Sequence, residues 1–262
     1  MTDLALAIRR TVLTMCSGRG QGYAGQGLAL ADLMADLYGR AMRPRADGSF
    51  TDRFVLSTGH SAIALFATLG VLGVYETDEL KTYGMDGSRI EESPLEGVPG
   101  FEITGGALGQ GLSQALGMAL GERMQGRDTT VYCLVSDGEL QEGQVWEAAM
   151  AAGHHRVGNL VLIVDNNRMQ ADGATAEVMT VEPVPDKFAA FGFDAVRVDG
   201  HDPAALARYV PAGGRIADKP LAIILETIPG RGVPSFEQYR KVHYIRADAA
   251  TWQKATAELA GS

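Results

Sequence analysis

Cysteine is scarce in this chain of 262 residues, where Cys16 and Cys133 are the only two. So few exclude a disulfide framework and fit a reducing compartment such as the cytoplasm. Long apolar runs are missing too, none nearing the roughly 18 residues that would span a bilayer, so no membrane association is expected. The opening MTDLALAIRR lacks a basic stretch followed by an apolar one, and no secretory signal is expected. Positive charge is in deficit, with 23 Lys and Arg against 32 Asp and Glu and a net charge of -9. Nucleic acid, which requires a basic face, is therefore not an expected partner. Internal repeats, low-complexity tracts and linkers are also lacking, so residues 1–262 are expected to form a single domain. A chain of this length can bury roughly three quarters of its unfolded surface, enough for a full core. Glycine is in excess, at 33 of 262 residues against a usual ~7%. Glycine weakens helices and strands unless its backbone freedom is used, so the excess must be explained by position.

Apolar periodicity outlines the elements. Leu30, Leu33, Met34 and Leu37 fall at helical spacing within 28–38, with Asp32 and Asp36 off that face. Ser61 is placed to cap a second helix through Ile63, Leu65, Phe66 and Leu69. Leu108, Leu112, Ala115, Leu116 and Ala119 mark a third, and Val145, Trp146, Ala149 and Met150 a fourth. Apolar runs at 131–135, 160–164, 195–198 and 221–225 read as strands, with a helix at 203–209 and a helical tail at 252–259. Strands that are apolar at nearly every position and alternate with helices predict an α/β fold, a parallel sheet covered on both faces. Ligands of such sheets sit beyond the carboxyl ends of the strands. The stretches 84–106 and 165–186 read as long loops, a length associated with function or disorder.

Two of the strand ends carry oxygen-rich turns, Ser136-Asp137-Gly138 and Asp165-Asn166-Asn167. Asp137 and Asn167 lie 30 residues apart, the span of one strand–helix–strand crossover, so the turns become neighbours if the strands pair. Side-chain oxygens with backbone carbonyls suit a hard cation such as Mg²⁺, which takes further oxygens from phosphates. A helix beginning near Glu142 would aim its N-terminal amides at the same place. Asp-Gly and Asn-Asn also serve as ordinary turn residues; the pair at this spacing favours the site.

Asp137-Gly138, then 27 residues, then Asn166-Asn167 resembles the thiamine diphosphate signature, with Ser136 in place of its first glycine. The likeness continues through Asp52-Arg53-Phe54-Val55-Leu56-Ser57-Thr58-Gly59-His60, Gly106-Ala107-Leu108-Gly109-Gln110-Gly111, the Asp172-Gly173 pair and the stretch 230–243. In order and over nearly the whole chain, these resemble the N-terminal, diphosphate-binding module of transketolases. That resemblance implies that Asp137 and Asn167 bind Mg²⁺ through side chains and Met169 through its carbonyl. It places Gly138 on the diphosphate with His60 and His243 beside it as catalytic and cofactor-binding residues, and Asn167 also at the cofactor. Gly106 and Leu108 would meet the aminopyrimidine through their backbone. Glu142 matches a family glutamate at the subunit interface, although a carboxylate there is also a favourable first-turn helix residue. His154, His155 and His201 receive no role.

The resemblance departs in two places. Tyr23 stands where the family carries a donor-contacting histidine, and Ser93 lies near a second position that lacks one. A phenol is no proton acceptor near neutral pH, so the donor sugar is in question while the cofactor is not. The family's acid that activates the cofactor belongs to a second, pyrimidine-binding module, and nothing here resembles that module. The resemblance therefore implies one half of a split, cytoplasmic enzyme, an α2β2 assembly that works only with a C-terminal partner subunit. Its reaction would be ketol transfer from a ketose to an aldehyde, both small-molecule sugars. Other thiamine diphosphate chemistry of synthase or decarboxylase type, or a non-catalytic scaffold, remain alternatives. The Gly-rich, apolar stretch 105–120 would serve as interface as well as core.

Overall fold

The computed structural model describes residues 2–261. Its main sheet contains β1 (Arg53–Leu56), β2 (Val131–Ser136), β3 (Leu160–Asn166), β4 (Asp194–Asp199) and β5 (Leu221–Glu226). Their spatial order is β1-β2-β3-β5-β4, and every neighbouring pair is parallel. The longer helices are α1 (Asp3–Arg19), α2 (Ala24–Asp36), α3 (Ala62–Val71), α4 (Gln110–Met124), α5 (Gly143–His154), α6 (Val184–Ala190), α7 (Pro203–Tyr209) and α8 (Ala249–Ala260). Every residue of β2 and β3 is buried, which the unbroken apolar runs require of strands covered on both faces. Alternate side chains enter two cores. Tyr132, Leu134, Val161 and Ile163 pack with α1, α2, α3, α7 and α8. Cys133, Val135, Leu162 and Val164 pack with α4, α5 and α6 on the opposite face. Each such aliphatic side chain contributes about 1.5–3 kcal/mol by leaving water.

The expected elements are present, with instructive shifts. Strands β2 and β3 each run past their apolar stretch, so Ser136, Asp165 and Asn166 are strand residues rather than turn residues. In-register pairing of Ser136 with Asp165 gives them ladder partners despite their polarity. Helix α2 begins at Ala24, earlier than the periodicity indicated, and passes into a wide turn at Leu37–Ala41. Ser61 stands at the N-cap position of α3, but its side chain makes no capping bond. A tight 3-10 turn at Gly59–Ser61 already leads into that helix. The segment 165–186 is not the open loop expected. It holds a ribbon pairing Met169–Gln170 with Gly173–Ala174, a short helix at Thr175–Met179 and the start of α6. By contrast, 84–106 contains no helix or strand, as expected.

Helix α1 was not legible from the sequence because its buried face includes a charge. Arg9 is fully buried, and its guanidinium donates to both oxygens of Asp32 at 3.1 and 2.5 Å. Asp32, read as off the apolar face of α2, is thus buried between helices, with His201 Nδ1 3.0 Å away. The Ile228 amide donates to Nε2 of the same ring at 2.9 Å, which leaves the proton on Nδ1 facing Asp32. Burial alone would raise Asp32, but hydrogen bonds from His201 and Arg9 outweigh it and hold the carboxyl below its ordinary value. Removing one partner of a buried pair strands the other charge. Asp32→Ala is accordingly expected to lower unfolding stability by about 3–5 kcal/mol, as read by urea denaturation.

Candidate functional site

Parallel strands bring their carboxyl ends to one edge of the sheet, and the candidate residues gather there. Register Val131↔Leu160 through Ser136↔Asp165 makes β2 and β3 immediate neighbours, so Asp137 and Asn167 leave adjacent strands. Asp137 donates its amide to the Asp165 carbonyl at 3.0 Å. Its carboxylate accepts from the amides of Gly138 and Arg168, both at 2.8 Å, and from the Thr175 hydroxyl at 2.9 Å. Asn167 donates Nδ2 to Asp165 at 2.8 Å, and its Oδ1 accepts from the Met169 amide at 2.9 Å. Thr227 also donates to Asp165. Arg168 adopts φ 61°, a left-handed conformation that is strained for any residue with a Cβ and typical of functional loops. Asp137, Gly138, Asn167 and Met169 therefore form one cluster. The structure interposes a 3-10 turn, Gly138–Gln141, before α5, so the expected helix starts at Gly143 with Glu142 exposed at its N-cap.

A cation fits this cluster on chemical grounds. Burial, followed by the Asp165 charge, pushes the Asp137 carboxyl up to about 7 despite its three hydrogen bonds. A divalent ion beside an ionised carboxylate there would offset its desolvation. Among the described residues, no group of three or more His, Cys, Asp or Glu side chains could hold a metal. One carboxylate, one amide oxygen and a backbone carbonyl are hard donors but too few for six-coordination, so a metal here would take further oxygens from water or a phosphate-bearing ligand.

A second cluster assembles from distant segments. The His60 and His243 rings lie 5.2 Å apart, and Tyr23 packs on both at 5.5 and 5.8 Å. Gly25 makes this possible: a Cβ there would lie 2.2 Å from the Val242 carbonyl oxygen, so only glycine lets the 242–243 segment close on α2. Gln26, next along, places its amide nitrogen 2.7 Å from His243 Nδ1 and leaves the imidazole proton on Nε2. Burial, then the facing His243, lowers His60 to about 4, and burial lowers His243. Two neutral imidazoles therefore face each other at neutral pH. Among the described residues the buried Gln26 Oε1 and Thr58 Oγ1 have no hydrogen-bond partner, an arrangement that a polar ligand would complete. Tyr23 is raised by burial and by Glu92, and Tyr244 donates to that same Glu92 at 2.7 Å.

His60 offers a direct check by pH. Its folded value near 4 lies below the ordinary 6.5, so the unfolded chain takes up the proton first as pH falls. The stability tied to neutral His60 is present above pH 6.5 and lost towards pH 4. The wild type minus His60→Asn stability difference is expected to shrink by up to about 3 kcal/mol across that window, measured by urea midpoints.

Gly106 has φ 116°, with open space where a Cβ would be, and Leu108 is 37% exposed. Both belong to a loop that crosses Gly59, where a Cβ would lie 2.4 Å from the Gly106 amide nitrogen. The loop thereby sits beside His60. Sequence reasoning missed Glu139, a carboxylate with no exposed surface that accepts from the Gly109 amide at 2.7 Å and from the Ser57 hydroxyl. Its partner Ser57 is 82 residues away, and no local spacing signals such a contact. His154, His155 and His201 lie outside both clusters, His201 serving Asp32.

Residues 2–259 match the family described as transketolase, thiamine diphosphate binding domain. Similarity to individual proteins is extensive. A transketolase family protein of Sinorhizobium fredii is 44% identical over 260 residues, covering 97% of this chain and 93% of the relative. A 6-deoxy-6-sulfo-D-fructose transketolase subunit of Clostridium is 37% identical, covering 97% and 94%. One of the subunits of an apulose-4-phosphate transketolase from Phocaeicola vulgatus is 36% identical, covering 91% and 86%. The solved transketolase of Pichia stipitis superimposes with a TM-score of 0.86 at 28% identity. That match covers 98% of this chain, which spans 40% of the Pichia protein.

Proposed function

The chain belongs to the transketolase thiamine diphosphate-binding domain family, and on that premise we propose that it is the diphosphate-binding subunit of a two-subunit transketolase. The observation that carries this reading is the joining of Asp137, Gly138, Asn167 and Met169 at adjacent strand ends. Asp137 and Asn167 would hold Mg²⁺ through side-chain oxygens and Met169 through its carbonyl. The amide nitrogen of Gly138 donates to Asp137 at 2.8 Å, and Gly138 would lie against a diphosphate beside that ion. When bound, thiamine diphosphate supplies an electron sink for cleaving and forming the bond next to a carbonyl. His60 and His243, both neutral, would hold and pass protons on substrate oxygens, with His243 donating from Nε2. Gly106 and Leu108 would meet the cofactor's ring through backbone groups.

The relatives named as subunits support a separate partner chain carrying the pyrimidine-binding module. We place the assembly as α2β2 in the cytoplasm, where the buried, unpaired Cys16 and Cys133 stay reduced. The donor is read as a branched or modified ketose, because Tyr23 stands where a histidine would contact a usual one, and its raised phenol is no base. The test is ketol transfer by the chain mixed with its partner, assayed with and without thiamine diphosphate and Mg²⁺. Transfer dependent on both supports the reading. Pyruvate consumption would favour decarboxylase-type chemistry, and complex formation without turnover a scaffold; either overturns the transketolase assignment.

A further inference from the structure

A helix start leaves its first amides without partners inside the helix, and the N-cap of α4 is Gly109, which has no side chain to cap it. The missing acceptors come from far along the chain. Glu139 Oε1 accepts from the Gly109 amide at 2.7 Å and from the Ser57 hydroxyl, while Oε2 accepts from the Ser136 amide at 3.3 Å. Ser57 Oγ in turn accepts from the Gly111 amide at 3.0 Å. One carboxylate thus joins the end of β1, the end of β2 and the loop 105–109. Burying a carboxylate is costly even when hydrogen-bonded, and a Gly-rich loop is entropically expensive to order. A group that meets both costs at a ligand site suggests preorganisation.

We propose that Glu139 is a positioning residue, whose carboxylate locks the 105–109 loop to the turn bearing Asp137 and Gly138. The inference rests on reading that turn as the diphosphate end of the site and the loop as its ring end. Glu139 then fixes the distance between the two ends before the ligand arrives. Ser57 belongs to the same device, since its hydroxyl bridges Glu139 and Gly111.

The test uses the chain reconstituted with its partner. Glu139→Ala is expected to raise KM for thiamine diphosphate about 10- to 100-fold while changing KM for the ketose less than about threefold. Glu139→Gln, which keeps an oxygen for the Gly109 amide, is expected to recover most of that loss. Ser57→Ala should act in the same direction, and the double variant should be little worse than Glu139→Ala, because both sever one connection. A merely destabilised chain would lower kcat with both KM values unchanged, and that result would overturn the proposal. So would an unchanged cofactor KM in Glu139→Ala. Hydrogen exchange at residues 105–112 in the ligand-free complex separates this inference from the cofactor reading. Faster exchange there in Glu139→Ala supports the tie even if the wild type takes up no thiamine diphosphate, and unchanged exchange refutes it.

Discussion

Asp137→Ala is expected to lower kcat/KM for ketol transfer by at least about 100-fold, equivalent to some 2.7 kcal/mol of transition-state stabilisation. Asp137 is the one carboxylate in the proposed metal set, the other donors being the neutral Asn167 amide and Met169 carbonyl. Without it the ion keeps only weak protein ligands, and the diphosphate loses the charge that anchors it. The wild type should also show a pH signature. Burial, reinforced by Asp165, lifts the Asp137 carboxyl to about 7, and the metal competes with that proton. Apparent Mg²⁺ affinity is expected to fall by up to tenfold per pH unit below about 7 and to level off above it. Calorimetric Mg²⁺ titrations at pH 6, 7 and 8 check the slope; a flat profile would remove Asp137 from the metal set.

The second large effect concerns the partner. The chain alone is expected to turn over at less than about 1% of the rate reached once the pyrimidine-binding partner is added. The exposure of the 106–108 loop supports this: Gly106, Ala107 and Leu108 form an exposed edge, whereas a ring-binding site requires enclosing apolar walls. His60 and His243 are held neutral, suited to proton transfer on substrate, but the resemblance assigns the activating acid to the other module. A titration of one chain against the other, followed by ketol-transfer rate, should rise to a plateau at one partner per chain. Full activity without the partner would contradict the split assembly.

How much of this could be read beforehand depends on the range of the interaction. The strands were legible because β2 and β3 are covered on both faces, and uniform burial writes uniform apolarity into a few consecutive residues. That Asp137 and Asn167 would leave adjacent strands was legible because a crossover fixes their separation and register makes them neighbours. Where polar residues pair across the fold, the local pattern misled. Asp32 looked solvent-facing, yet Arg9 and His201, from two other segments, bury it. Glu139 carries no local signal of its role, because only the folded sheet brings Ser57 and Gly109 to its carboxylate. Ser61 stood at the right position for a cap and made none, because a 3-10 turn enters the helix instead.

The proposed role of this chain is to secure a diphosphate through a magnesium ion held at the ends of β2 and β3. Its most direct test is calorimetric titration of thiamine diphosphate into the reconstituted complex, with excess Mg²⁺ and again with a chelator. Saturable binding that weakens at least about 100-fold on chelation, and equally in Asp137→Ala with Mg²⁺ present, is the predicted result. Binding of the same strength with and without the metal, or none in either condition, would contradict it.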